Sequence, residues 1–171
     1  MKRILILALI IGCQQSLQAQ TEQGQLLIGA NSNLNFTNQN QDGLDDNITN
    51  ISVNATGGYF VIDNLAAGIN LGFSRASQGN FAFSNFVFGP FARYYIQNVF
   101  VGASFSALSA RGDGIDTSNG SQIDFELGYA AFLNNFVAIE PTISYLTTGG
   151  DFDGLTSIAL NIGFTIYIPS N

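Results

Sequence analysis

The residues that could carry chemistry in this chain are few. There is no histidine, so both an imidazole base and the usual nitrogen ligand of zinc or copper are missing. Four charged residues stand within segments that otherwise consist of apolar and small polar residues. They are one arginine and three carboxylates: Arg93, Asp124, Glu126 and Glu140. Such a set can form ion pairs, and without histidine the Ser-His and Asp-His arrangements of barrel hydrolases are missing. We therefore expect no enzyme activity and no cofactor.

Further carboxylates fall in predicted loops, namely Asp42, Asp45, Asp46, Asp151 and Asp153. Calcium accepts oxygen ligands of this type. The regular spacing of a calcium-binding loop is absent, so solvated charge is the favoured interpretation and no metal is expected. The tripeptide Arg111-Gly112-Asp113 also falls on a predicted loop and spells an integrin-binding motif, although a charged glycine turn arises easily by chance.

A leader opens the chain. Lys2 and Arg3 precede a short apolar run, and Ala19 supplies a small residue at the cut, so residues 1–19 are a predicted signal peptide and 20–171 the mature domain. The run is too short to span a bilayer. Cys13 follows a string that resembles a weak lipobox, so lipidation there stays an alternative. Cleavage after Ala19 would instead leave a mature chain without cysteine or disulfide.

Charge excludes one class of partner. Removing the leader leaves three arginines against twelve carboxylates, a formal net charge of −9. Nucleic acid is therefore not an expected partner. The chain also has 15 Phe and 6 Tyr, whereas an acidic disordered protein would lack aromatic residues.

Eight segments alternate apolar and small-polar residues with a period of two, which predicts β-strands. They are 26–36, 48–61, 65–74, 83–95, 99–107, 122–132, 137–145 and 158–168. Three short turns (62–64, 96–98 and 133–135) alternate with longer polar loops (37–47, 75–82, 110–121 and 146–156). This arrangement is typical of an eight-stranded antiparallel up-and-down transmembrane β-barrel with its turns in the periplasm. Pro90 and Pro141 fall inside strands, where we expect local bulges or bends.

The alternative is a soluble barrel with its apolar face inside. The polar face consists of small side chains that suit a narrow lumen, whereas the apolar face is too bulky to leave room for a ligand. Aromatic residues near the strand ends are interpreted as interfacial girdles. They are Tyr59, Tyr94, Phe100, Phe132 and Phe136 at the turn side, and Phe36, Phe73, Phe83 and Tyr145 at the loop side.

The four ionisable residues should then meet inside the barrel, because a charge facing lipid costs about 2–4 kcal/mol at mid-bilayer. Arg93 and Glu140 lie at similar heights above their turns and are the expected pair, with Glu126 higher. One cation among three carboxylates leaves the lumen acidic. This cluster is interpreted as a plug, and the alternative is a salt-bridge gate on a narrow path for water or ions.

Three strings carry a family resemblance: Gly57 to Gly68, Gly89 to Tyr95, and the closing stretch Leu160 to Ile168. They resemble the small outer-membrane β-barrels of Gram-negative bacteria, of the outer membrane protein X type and the membrane domain of the outer membrane protein A type. The resemblance implies the cell outer membrane as location, insertion by the barrel assembly machinery, and contact with outer-membrane lipid and lipopolysaccharide. We expect a structural or surface-interaction role for this barrel, with loops facing an extracellular partner. A narrow porin-like pore is the alternative.

Overall fold

The computed structural model describes residues 21–31, 48–78, 81–114 and 116–169, and these form one antiparallel β-sheet that closes on itself. Its strands are β1 (Leu26–Asn31), β2 (Ile48–Ile62), β3 (Leu65–Gln78), β4 (Phe81–Ile96), β5 (Val99–Gly112), β6 (Ser118–Tyr129), β7 (Ala131–Phe132), β8 (Val137–Gly150) and β9 (Thr156–Ile168). The predicted signal peptide, Cys13 and the predicted first loop lie outside the described residues.

β6 and β7 are two parts of one barrel strand. Both pair with β8 in the same register, as Gly128 opposite Thr142 and Ala131 opposite Ile139 show. Neighbouring strands pair in chain order, β1 pairs with β9, and the β6–β8 pairing completes the ring. The prediction of an eight-stranded antiparallel up-and-down barrel is therefore confirmed.

Alternation places the apolar face outside. Large hydrophobic side chains such as Ile28, Phe88 and Leu127 are about half exposed. Their strand neighbours Gly29, Gly89 and Gly128 face inward. The outer surface is thus a continuous apolar band and the lumen is narrow. No helix among the described residues is long and apolar enough to cross a membrane.

The predicted long loops are wrong in three places. β3 runs to Gln78 and β4 starts at Phe81, β5 and β6 are separated by residues 113–117, and β8 and β9 by residues 151–155. Their polar sequences predict loops, but Ser, Thr, Asn and Gly also fit strands whose inner face lines a polar lumen. The barrel therefore rises further on this side than expected.

Of the bulges or bends predicted at Pro90 and Pro141, bulges are absent, because both prolines keep the regular register with β3 and β9, respectively. A proline lacks the N–H that donates a hydrogen bond to the neighbouring strand. The strand pairing is therefore interrupted near each proline, but the register does not shift. The β4–β5 pairing is interrupted between Phe88 and Phe91, and β6 ends opposite Pro141. Within the described strands, the register shifts instead between Phe60 and Ile62.

Candidate functional site: the lumenal ionic cluster

Arg93 is the centre of a buried ion-pair cluster and is itself 5% exposed. Its Nε lies 2.5 Å from Glu126 Oε1, its Nη2 donates to Glu126 Oε2 at 3.2 Å, and its Nη1 donates to Glu140 Oε2 at 3.1 Å. The expected Arg93–Glu140 contact is present. Glu126, expected higher in the barrel, binds the same guanidinium, so one arginine serves two carboxylates.

Gly102 explains how Arg93 reaches Glu126 across an intervening strand. Arg93 on β4 pairs with Gly102 on β5, which pairs with Glu126 on β6. All three positions face inward, and the middle one has no side chain. A Cβ on Gly102 would collide with the Glu126 carboxylate. The missing side chain at Gly102 therefore leaves the space in which Arg93 and Glu126 form their ion pair.

The second oxygen of Glu140 continues the network toward the turn end. Tyr167 donates its hydroxyl hydrogen to Glu140 Oε1 at 2.6 Å, and the Tyr95 and Tyr167 hydroxyls lie 3.2 Å apart. A carboxylate that accepts from Arg93 and from a tyrosine has little need of water. The resulting chain links β4, β6, β8 and β9 across the lumen.

An aromatic layer lies directly against this cluster on the turn side. It consists of the buried side chains of Phe60, Tyr95, Phe100 and Tyr167, with Phe132 packed against them. Neighbouring ring centroids lie 5.0–6.3 Å apart. The guanidinium carbon of Arg93 lies 4.7 Å from the Phe100 ring centroid, a cation–π distance. The layer fills the lumen below the charges.

This layer corrects the sequence interpretation, which placed Phe100 and Phe132 in the outer girdle. Phe100 is fully buried, whereas the other turn-side girdle residues Tyr59, Tyr94 and Phe136 are 44–50% exposed. Phe100 shares the parity of inward-facing Gly102, so the alternation itself contained the signal. The same holds for Phe60, Tyr95 and Tyr167.

The segment before β1 closes the rim beneath the aromatic layer. Gly24 donates its N–H to Phe60 O at 2.9 Å, and Asn64 donates its N–H to Thr21 O at 2.7 Å. The hydroxyl of Thr21 also bonds Asn64 Oδ1 at 2.7 Å. Thr21 and Gln25 are buried by this packing. The chain therefore enters the barrel across its turn end.

Asp124 lies on the other side of the cluster. Among the described residues its carboxylate forms no ion pair. It lines a cavity of about 260 Å³ whose floor includes Arg93 and Glu126 and whose wall is mostly small polar side chains. The described residues include no group of three or more histidine, cysteine or carboxylate side chains placed to hold a metal ion.

Of the predicted loop carboxylates, only Asp151 and Asp153 lie among the described residues. Asp151 accepts the Asn119 N–H at 2.8 Å, and Asp153 is exposed. Asp42, Asp45 and Asp46 lie outside the described residues. In the Arg111-Gly112-Asp113 tripeptide, the carboxylate of Asp113 accepts the Ala82 N–H at 3.1 Å. Asp113 and Asp151 thus tie together the ends of neighbouring strands.

Comparison with known proteins bears on the fold. No protein-family model matches the chain, and no curated protein matches it. Among solved structures, the outer membrane protein Ail of Yersinia pestis, in a phospholipid bilayer nanodisc, aligns with a TM-score of 0.57 at 10% identity, covering 86% of this chain and all of that one. The outer membrane protein OprG of Pseudomonas aeruginosa aligns at 0.50 and 12%, covering 91% and 100%.

The fold is that of the small outer-membrane barrels. The resemblance noted in the sequence is thereby confirmed at the level of fold. Identities of 10% and 12% show the fold alone and transfer no ligand or activity to this chain.

Proposed function

We propose that this protein is an integral outer-membrane barrel whose lumen is plugged and whose role is structural or in surface interaction. The observation that carries the proposal is that two layers of side chains block the lumen: the Arg93 ion-pair cluster and, packed against it, the aromatic layer. An eight-stranded barrel has an interior just wide enough for side chains. Here those side chains fill it with buried rings. The absence of histidine from the sequence gives no support for a catalytic role.

Location in the outer membrane follows from the apolar exterior and the likeness of fold. The test is gel mobility of the outer-membrane fraction with and without boiling, since a folded barrel survives detergent and migrates differently from its unfolded chain. We expect a heat-dependent shift. Absence of the shift, with the protein in the soluble fraction, would contradict membrane insertion.

Processing of the leader has a separate readout, the intact mass of the purified protein. Cleavage after Ala19 gives an unmodified chain that begins at Gln20. Lipidation would instead give a chain that begins at Cys13 and carries acyl mass. We propose the first form, inserted by the barrel assembly machinery.

For the surface role, we propose that the barrel lies among outer-membrane lipid and lipopolysaccharide, and that its loop end faces outward and presents acidic side chains to an extracellular partner. Asp116 and Asp153 are exposed there. The test places a cysteine at Asp153, and a control cysteine at Asn135 in a turn of the opposite end, in a mature chain that otherwise lacks cysteine. A membrane-impermeant maleimide on intact cells should label only the first. Labelling of the Asn135→Cys variant alone would reverse the orientation.

The alternative is a narrow pore gated by the Arg93 ion pairs. It differs from the plug in one measurable way, the single-channel current of Arg93→Ala in a planar bilayer. A gate would conduct once the cation is removed. The plug should stay silent, because Phe60, Tyr95, Phe100 and Tyr167 still fill the lumen. Defined conductance steps in Arg93→Ala would refute the plug.

A further inference from the structure

Two arginines lie side by side on the outer wall of the barrel, near its loop end. Arg75 on β3 is exposed at the next outward position after Phe73, and Arg111 on β5 is exposed beside the buried Gly112. Arg75 pairs with Ser84 on β4, and Ser84 pairs with Arg111. The three residues therefore form one row across three neighbouring strands, called the outer arginine row below.

The height of the outer arginine row coincides with the upper edge of the apolar band. Leu65, Tyr94 and Val101 form a parallel row about ten residues nearer the turn end on the same three strands. At about 3.3 Å per residue and a strand tilt of about 40°, ten residues rise about 25 Å along the barrel axis, which is the usual height of the band that faces hydrocarbon. The two guanidinium groups therefore lie at the level of the lipid head groups.

The two cations have no counter-charge from the protein. The ion pairs among the described residues belong to Arg93, so neither Arg75 nor Arg111 has one. Asp113 lies two positions beyond Arg111, and its carboxylate accepts the Ala82 N–H. Neighbouring strands are about 4.8 Å apart, so the backbones of the two arginines are about 10 Å apart and both side chains can reach one anion over Ser84.

The surroundings of the row limit what that anion can be. Toward the turn end, the next outward pair is Phe73 and Phe86, whose half-exposed rings offer a surface to acyl chains. Toward the loops, exposed carboxylates such as Asp113 and Asp153 repel a free anion from solution. Arginine binds phosphate through paired N–H donors. Two guanidinium groups match a phosphate monoester, with a charge of about −1.5 to −2, better than a singly charged diester.

We propose that the outer arginine row binds a phosphate monoester of the lipid A part of lipopolysaccharide. Arg75 and Arg111 donate to the phosphate oxygens from either side, the Ser84 hydroxyl donates between them, and acyl chains lie against Phe73 and Phe86. The inference rests on the proposed function, because it requires the loop end to face outward. It adds to that function the residues and the chemical group of the contact.

The test measures lipid binding to the refolded mature chain in detergent by native mass spectrometry. Bisphosphorylated lipid A should bind at least about tenfold more tightly than dephosphorylated lipid A with the same acyl chains. Phosphatidylglycerol, a diester, should bind several-fold more weakly than bisphosphorylated lipid A, and inorganic phosphate, which has no acyl chain, should not displace the lipid at millimolar concentration. Equal binding of any two of these three lipids in which bisphosphorylated lipid A is one, or displacement by inorganic phosphate, would overturn the proposal.

Matched variants locate the site on the wall. Arg75→Gln and Arg111→Gln should each weaken binding of bisphosphorylated lipid A several-fold, and together about tenfold or more. Arg75→Gln combined with Thr156→Arg restores the net charge, but it places the cation at an exposed position of β9, across the barrel from β4. This protein should bind as weakly as Arg75→Gln alone. Wild-type affinity in it, or in the heat-shifting double glutamine variant, would contradict the assigned row.

Orientation has its own readout in the maleimide labelling described above. Labelling of Asp153→Cys, with lipid A binding that does not depend on the arginines, would overturn this inference alone. Labelling of Asn135→Cys would overturn the outward loop end, and this inference with it.

Discussion

Replacing Arg93 by alanine should destabilise the barrel more than any substitution at its surface. The change removes three hydrogen bonds to two carboxylates and the cation beside the Phe100 ring. Glu126 and Glu140 would remain in place, and the side chain of Glu140 is only 4% exposed. Removing one partner of a buried ion pair typically costs about 3–5 kcal/mol, because it leaves an uncompensated buried charge.

The measurement is urea unfolding in detergent micelles followed by far-ultraviolet circular dichroism, since the chain has no tryptophan. We expect the free energy of unfolding of Arg93→Ala to fall by about 3–5 kcal/mol. Arg111→Ala is the matched control: it removes the same cation from an exposed position and should change stability by less than about 0.5 kcal/mol.

A triple variant separates unpaired charge from lost packing. Arg93→Met with Glu126→Gln and Glu140→Gln removes the charges together and keeps side chains of similar size, so it should recover most of the loss. Two results would refute the reasoning: a loss below about 1 kcal/mol in Arg93→Ala, or a triple variant no more stable than the single one.

Three smaller substitutions test other parts of the lumen and its rim, all by the same unfolding measurement. Gly102→Ala should cost about 1–3 kcal/mol by displacing the Glu126 carboxylate, whereas Gly57→Ala, with open space around its Cβ position, should be near neutral. Tyr167→Phe removes a hydroxyl that donates to a buried carboxylate and should cost about 1.5–3 kcal/mol. Gln97→Gly should stabilise by about 0.5–1 kcal/mol, because Gln97 has φ of 59°.

The alternation of side chains predicted the strands, the barrel and the inward face correctly, because a period of two is a local property of the backbone. It therefore also placed Arg93, Glu126 and Glu140 in one lumen. What it left open was which groups touch. The contact with Glu126 depends on the register of three strands and on Gly102 at the crossing, and register across a barrel is set by closure rather than by any single segment.

The aromatic layer was missed for a different reason. An aromatic residue near a strand end can lie at the membrane interface or in the interior, and the interface was chosen for Phe100 although it shares the parity of inward-facing Gly102. The small residues opposite it decide: a Cβ on Gly128 would collide with the Phe100 ring. Two features together predict an aromatic ring that points inward: its position in the alternation of side chains, and a glycine at the paired position of the neighbouring strand. The loop lengths had no comparable signal, because Ser, Asn and Gly suit turns and lumen-facing strands alike.

The energetics of the cluster favour a plug over a gate. A gate at Arg93 must release Glu126 and Glu140 and then move the rings of the aromatic layer, which are packed centroid to centroid. Losing a single partner of such a buried pair already costs about 3–5 kcal/mol, and each 1.4 kcal/mol is a factor of ten in population. Without a compensating partner for the separated charges, the open form would therefore be populated at roughly one part in a hundred to one part in a few thousand before any ring moves. The ring layer lowers that fraction further, so the wild-type barrel should be closed to ions.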